Sequence, residues 1–72
     1  MKKEYRAVTE HGVRYPAQYR EQLKELREKK LEVGIDYVGK NWRIVSMAYK
    51  SKKGAEEHGK KWGFPYYVEE IE

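Results

Sequence analysis

The stretch Trp42-Arg43-Ile44-Val45-Ser46-Met47-Ala48-Tyr49 decides the fold of this 72-residue chain. Its residues favour a β-strand, and apolar side chains occur at both alternating sets of positions. Successive side chains of a strand point to opposite sides of the sheet, so this pattern predicts a strand that needs cover on both faces. A chain of this length buries only a modest core. Something outside the chain could therefore cover the second face.

The composition is that of a small folded protein. Sixteen Lys and Arg residues against 12 Asp and Glu residues give a formal net charge of +4. This excess excludes an acidic mimic of DNA and permits contact with nucleic acid. Aromatic residues make up 14% of the chain, which argues against disorder. We therefore expect one α+β domain over residues 1–72.

Cysteine is absent, so neither a disulfide nor a cysteine-based zinc site can stabilise the chain. This composition fits a reducing compartment. No apolar run could span a bilayer, and the basic start Met1-Lys2-Lys3 lacks the apolar core of a signal peptide. We expect a cytoplasmic protein that does not bind membranes.

The most secure helix is expected at residues 17–30, which are rich in good helix formers. Pro16 suits the first helical position, where its missing N–H costs nothing. Tyr19, Leu23 and Leu26 lie at helical spacing and form one narrow apolar stripe. The stripe predicts an amphipathic helix that covers a sheet.

A second helix is expected from Lys52 to about Trp62, with Ser51 as its N-cap and Gly63 as its end. Its inward side would carry small and aromatic residues, namely Ala55, His58, Gly59 and Trp62. Short strands are expected at residues 4–9 and 64–71, and Pro65 suits an edge strand for the latter. Gly12 could take a positive φ in the turn after the first strand, and residues 13–15 form a brief return strand or a loop.

Residues 35–38 and the stretch from Asn41 onward read as a hairpin closed by Gly39-Lys40, a sequence suited to a type II′ turn. This loop length fixes the register. It places an aromatic pair, an ion pair and an aliphatic pair opposite each other: Tyr37 with Trp42, Asp36 with Arg43, and Ile35 with Ile44.

The resulting order is β-α-β-β-α-β, the split βαβ order of ferredoxin-like folds. It implies a four-stranded antiparallel sheet with the first and third strands at its centre. Both helices would cover one face of this sheet and leave the other open. The third strand is the most apolar one, in agreement with a central position.

The hairpin register predicts which face is open. Asp36 and Arg43 mark one side of the hairpin as outward, and Val45, Met47 and Tyr49 would continue that side. The small Ser46 and Ala48 mark the other side, under a glycine-bearing helix. In the alternative interpretation, other parts of the chain cover both faces.

An open sheet with aromatic residues resembles the RNA-recognition module, which reads RNA with aromatics on its first and third strands. In the third-strand signature Lys40, Trp42 and Val45 match. Four other positions differ from it: Asn41, Arg43, Ile44 and Met47. The resemblance covers eight residues, implies RNA contact near Trp42, and is an analogy of fold.

A basic cluster follows the third strand and continues through the second helix: Lys50, Lys52, Lys53, Lys60 and Lys61. Lysines and free backbone N–H groups at a helix N-terminus favour phosphate, and Ser51 and Gly54 would permit its close approach. The alternative is a solvated helix surface on which Glu56 and Glu57 offset part of the charge.

No pattern for catalysis or for a cofactor is present. His11 and His58 lack companions at ligand spacing, so no metal site is expected. Our hypothesis is a non-enzymatic binding protein that contacts a protein partner or a second copy through Val45, Met47 and Tyr49, with Tyr5 or Tyr67 beside them. The alternative is a nucleic-acid-binding module that uses the lysine cluster with Trp42.

Overall fold

The computed structural model describes residues 3–29, 31 and 33–71. The elements are β1 (Glu4–Thr9), a 3-10 helix (Pro16–Tyr19), α1 (Arg20–Glu28), β2 (Val33–Val38), β3 (Asn41–Ser46), α2 (Lys52–Trp62) and β4 (Tyr66–Ile71). They form one open sheet in the order β2-β3-β1-β4, with antiparallel neighbours. The predicted α+β fold is confirmed, with the first and third strands at the centre and β4 at an edge.

The hairpin register is confirmed along its whole length. Tyr37 faces Trp42, Asp36 faces Arg43 and Ile35 faces Ile44. Gly39 has a φ of 67°, the positive value that tight hairpin turns require at their first central position. A two-residue turn thus sets the pairing of six residues on each strand.

The helices differ in how well their sequences define them. α2 has the expected bounds, with the Ser51 hydroxyl accepting from the Gly54 N–H at 3.2 Å and Gly63 ending the helix at a φ of 80°. The first helix begins instead as a 3-10 turn and becomes α-helical at Arg20, because no side chain caps its start. No helix in the described part of the chain is long and apolar enough to cross a membrane.

One core lies between the sheet and the two helices. Its buried residues come from both central strands and from both helical segments: Ala7, Tyr19, Leu26, Ile44 and Trp62. Because Ala7 and Ile44 point to the same side of the sheet as these helical residues, both helices cover one face, here called the helix face. The opposite side is called the open face.

Gly12 does not have the positive φ that we expected; its small size instead permits a close approach of two segments. Among the described glycines, positive φ occurs at Gly39 and Gly63. A Cβ at Gly12 would instead strike the side chains of Asn41 and Arg43. This close approach lets Val13 form an isolated backbone pair with Trp42, which is all that remains of the brief return strand.

The contact between β1 and β3, here called the central seam, departs from a regular ladder. Val8 pairs with Val45. On either side of that pair, hydroxyl groups accept backbone N–H groups: Ser46 Oγ from Ala7 at 2.8 Å and Thr9 Oγ1 from Ile44 at 3.2 Å. Side chains therefore make bonds that backbone carbonyls make in a regular sheet.

Backbone pairing resumes between Tyr5 and Tyr49, with bonds of 2.7 and 2.6 Å. Between the Val8–Val45 pair and this pair, β1 runs three residues, from Val8 to Tyr5. The opposite segment runs four residues, from Val45 to Tyr49. The extra residue is a bulge, which reverses the side to which later residues point. The expected strand to Tyr49 therefore ends at Ser46. Likewise β4 begins at Tyr66 instead of at residue 64, because Phe64 stacks on Trp62.

Candidate binding surface

The open face is covered by charged side chains of the protein itself. Arg6 on β1 donates from Nε to Glu69 on β4 at 2.6 Å and from Nη1 to Asp36 on β2 at 2.8 Å. Since β3 lies between β1 and β2, the Arg6 side chain crosses the open face of β3. Val45 of β3 is only 8% exposed. The prediction of an exposed Val45 was wrong, because a long arginine stem shields apolar surface.

These three charges stabilise each other. Burial alone would lower the pKa of Arg6, but its hydrogen bonds to Glu69 and Asp36 outweigh this effect and raise it. The Arg6 hydrogen bond, followed by the Tyr37 N–H, lowers the pKa of Asp36. Asp36 therefore pairs with Arg6 and not, as expected from the register, with Arg43.

Arg43 covers the other half of the open face. Its guanidinium lies 5.7 Å from the centre of the Tyr67 ring and donates to the Thr9 carbonyl at 3.2 Å. Beneath them Val8, which points away from the helices beside Tyr67, is fully buried. Tyr67 thus lies on the open face as predicted, but an arginine contacts its ring.

Tyr49 and Tyr5 lie elsewhere. The bulge turns Tyr49 to the helix face, where its hydroxyl lies 2.6 Å from Nδ1 of His58 and its ring lies where a Cβ on Gly54 would be. Tyr5 pairs with Tyr49 and shares that face. The prediction that Tyr49 points outward with Val45 was wrong, because a bulge cannot be read from alternation.

Met47 keeps its predicted exposure, at 46%. Ala48 is exposed and does not lie under α2 as expected, since the bulge removes it from the strand. The glycine that lets α2 approach the sheet, Gly59, packs instead on the ring of Tyr66. Of the five predicted contact residues, the structure leaves only Met47 strongly exposed.

The lysine cluster is a solvent-exposed surface. All five of its lysines are exposed, and none forms an ion pair with another described residue. Trp42 points to the helix face, and its ring packs edge-on against Tyr37 at 5.3 Å. The hairpin register, which places Trp42 on the same side as Ile44, is therefore confirmed, and the exposed position that the RNA-recognition module would give Trp42 is not found.

The two histidines have different surroundings. His58 is buried, and burial, followed by the nearby charge of Lys61, lowers its pKa. His11 lines a cavity of 170 Å³ together with Thr9, Tyr19, Gln22, Phe64 and Pro65. Residues 3–29, 31 and 33–71 contain no group of three or more His, Cys, Asp or Glu side chains that could hold a metal ion.

The outer edge of β2 is a surface that we did not expect from the sequence. In a two-residue hairpin Val38 and Asn41 bond directly, so the backbone groups of Ile35 and Tyr37 point away from β3. The Tyr37 N–H donates to its neighbour, Oδ1 of Asp36, at 2.8 Å. In the described part of the chain no backbone bond joins the N–H or C=O of Ile35 to another segment.

Side chains do little to protect this edge. Tyr37 is 54% exposed, and a Cβ at the exposed Gly34 would touch nothing within 4 Å. β2 contains neither proline nor lysine, the residues that commonly protect sheet edges. That composition, combined with the predicted edge position of the second strand, was the signal available in the sequence.

Comparisons of this chain with protein-family models, with curated proteins and with solved structures give no match.

Proposed function

We propose that this is a non-enzymatic binding protein that takes up a β-strand of a protein partner along the outer edge of β2. The observation that carries the proposal is the outward backbone of Ile35, which has no backbone partner among the described residues and lies beside the exposed Tyr37. An extended chain can bond to such an edge through its backbone. Protein contact thus remains the function we infer from the sequence, but its place moves from the open face to the edge.

The two edges of the sheet are not equivalent. β4, at the opposite edge, begins after Pro65 and carries Glu69 and Glu70 near its end. Proline and charge both discourage strand addition. β2 has a single charged side chain, Asp36, which Arg6 already neutralises. The β2 edge is therefore the better acceptor of a strand.

Nuclear magnetic resonance of the ¹⁵N-labelled protein in a clarified cell extract tests this proposal. We expect shifts and slower amide exchange at Ile35 and Tyr37. The amide of Val68 on β4 serves as the matched control, because it points outward from the opposite edge. Perturbation of β4 alone, or no change at either edge both on concentrating the pure protein and on adding the extract, would contradict strand uptake at β2.

A second candidate function is nucleic-acid binding by α2. Its support is the set of five exposed lysines without ion partners among the described residues. α2 packs on β1 and β4, so this surface is distinct from the β2 edge. In the same extract, treatment with nuclease would abolish shifts in α2 and leave those in β2.

Direct binding distinguishes this candidate further. Fluorescence anisotropy of labelled single-stranded RNA and DNA should show binding that weakens steeply with salt, because phosphate contacts release counterions. The double variant Lys52→Gln/Lys53→Gln should reduce the salt dependence, whereas Lys24→Gln/Lys29→Gln, on α1 and at its C-cap, should not. Equal effects of the two double variants would rule out a specific site on α2.

A cytoplasmic location belongs to the same proposal. It rests on a sequence without cysteine, which suits a reducing compartment. An enzymatic role has no support in the described residues, where the buried titratable side chains are bonded within the protein: the Tyr19 hydroxyl donates to the His11 carbonyl, and His58 contacts the hydroxyl of Tyr49.

A further inference from the structure

We propose that the strand taken up by β2 is β2 of a second copy of this chain, antiparallel to the first and related to it by a twofold axis at Ile35. This inference rests on the proposed function and names its partner. In this register Ile35 bonds to Ile35 of the second copy, and residue 33 bonds to Tyr37. The two four-stranded sheets become one continuous sheet.

The backbone groups that point outward from β2 fit this register. Antiparallel strands exchange bonds at every second residue, and the outward residues of β2 are 33, 35 and 37. All three find a counterpart when the axis passes through Ile35. Roughly four to six backbone hydrogen bonds form, depending on whether the Tyr37 N–H remains with Asp36.

The side chains of the open face also fit. With the axis at Ile35, Asp36 of each copy lies opposite Gly34 of the other. Gly34 is exposed and open to its surroundings, so the carboxylate meets neither a clash nor a like charge. Asp36 also keeps its bond to Arg6 of its own chain, since that bond lies over the sheet and not along its edge.

A neighbouring register is much poorer. If the axis passed through Asp36, the two Asp36 carboxylates would lie directly opposite each other. Like charges in directly opposed positions destabilise a strand pair. The charge pattern therefore selects Ile35 over Asp36 as the centre of the contact.

Charges farther from the strand do not oppose the contact. α2, which carries four of the five clustered lysines, packs on β1 and β4, away from the β2 edge. The exposed side of α1, which packs near β2, carries both signs: Arg20, Lys24 and Arg27 with Glu21, Glu25 and Glu28. Two copies of such a surface can face each other without net repulsion.

Substitutions at Gly34 test the register, because this residue would face Asp36 of the second copy. Gly34→Asp would place two carboxylates opposite each other, Gly34→Lys would place an ammonium opposite a carboxylate, and Gly34→Asn is the uncharged control. A Cβ at this position touches nothing within 4 Å in the single chain. Sedimentation velocity of the full chain over a concentration series at low salt measures the association.

We expect wild-type protein to form a weak dimer. The dimer dissociation constant should rise by about fivefold or more from Gly34→Asn to Gly34→Asp, and fall in Gly34→Lys. High salt should reduce the difference between the variants. Far-ultraviolet circular dichroism establishes that each variant is folded, and the lysine variant tests the register even if the aspartate variant does not fold.

Two results would overturn the inference. A wild-type protein that remains monomeric at every concentration excludes the second copy; strand uptake from another protein would still be visible as shifts at Ile35 in the extract. A dimer with equal dissociation constants in all three variants places the contact away from β2.

Discussion

Nη1 of Arg6 lies 2.8 Å from Oδ2 of Asp36, although the whole of β3 separates their strands. This ion pair explains why the open face is not apolar. The arginine stem covers Val45, and its charged end is held by Asp36 on one side and Glu69 on the other. The uncovered side of the sheet is consequently closed by the protein's own side chains, while the β2 edge is not.

Replacement of Arg6 separates its two contributions. Arg6→Met retains an apolar stem over Val45 but leaves Glu69 and Asp36 without their hydrogen-bond donor. We expect it to lower the free energy of unfolding by about 1–2 kcal/mol. Arg6→Ala also uncovers Val45 and should cost more. Urea denaturation measures both.

Lys3→Met is the matched control for Arg6, because the Lys3–Glu70 pair at 3.2 Å is well exposed on both sides. Exposed pairs contribute from about 0 to 1 kcal/mol. A loss in Lys3→Met as large as that in Arg6→Met would contradict a special role for Arg6.

The hydroxyls of the central seam should contribute strongly to stability. Ser46→Ala and Thr9→Val would each leave a buried N–H, that of Ala7 or of Ile44, without an acceptor. We expect each to lower the free energy of unfolding by about 1–3 kcal/mol. Thr9→Ser keeps the hydroxyl and should retain most of the stability. If Thr9→Val had the same unfolding temperature as wild type, the hydrogen bond from the Ile44 N–H to the Thr9 hydroxyl would not contribute to stability.

Stability should fall on mild acidification because of His58. Its folded-state pKa lies below the ordinary value of 6.5, mainly because it is buried. Well above pH 6.5 the His58 imidazole is neutral in both the folded and the unfolded protein, so the free energy of unfolding has its full value. As the pH drops below 6.5 the unfolded chain takes up a proton first, so the free energy of unfolding decreases until the folded pKa is reached.

Equilibrium unfolding at successive pH values, together with nuclear magnetic resonance of the imidazole, measures this effect. His58→Phe should flatten the profile of stability against pH between pH 6.5 and the folded pKa. An imidazole that titrates at or above 6.5 in the folded protein would refute this prediction.

Gly59→Ala should destabilise the protein even though alanine is the better helix former by roughly 1 kcal/mol. A Cβ there would strike the Tyr66 ring. Overpacking of this kind typically costs about 1–3 kcal/mol. Gly34→Ala, where a Cβ touches nothing, is the control and should change the free energy of unfolding by less than about 0.5 kcal/mol. Greater stability of Gly59→Ala in urea would show that the helix does not lie so close to Tyr66.

Elements set by local interactions could be predicted from the sequence, and those set by long-range contacts could not. The hairpin was predictable because Gly39-Lys40 fixes the pairing locally, and α2 was predictable because Ser51 and Gly63 mark its ends. The strand after Val45 was not, since alternation assumes a regular ladder and the bulge breaks it.

The cover of the open face was equally beyond reach of local patterns. Arg6 is hydrogen-bonded to Asp36, which lies thirty residues later in the sequence, and to Glu69, which lies sixty-three residues later. Only the assembled strand order makes these carboxylates neighbours. The exposed β2 edge was not among our predictions, although the predicted topology and a strand without lysine or proline were the signal for it.

The central seam divides the sheet into two halves, β2–β3 and β1–β4, each joined by a regular six-residue ladder. Two arginine side chains join the halves across this seam. Arg6 donates a hydrogen bond to Asp36, and Arg43 donates one to the Thr9 carbonyl. Ionic strength should therefore act mainly on the joint between the halves. A rise in salt should weaken the contact between the β2–β3 hairpin and the β1–β4 pair before it weakens the hydrogen bonds within either ladder.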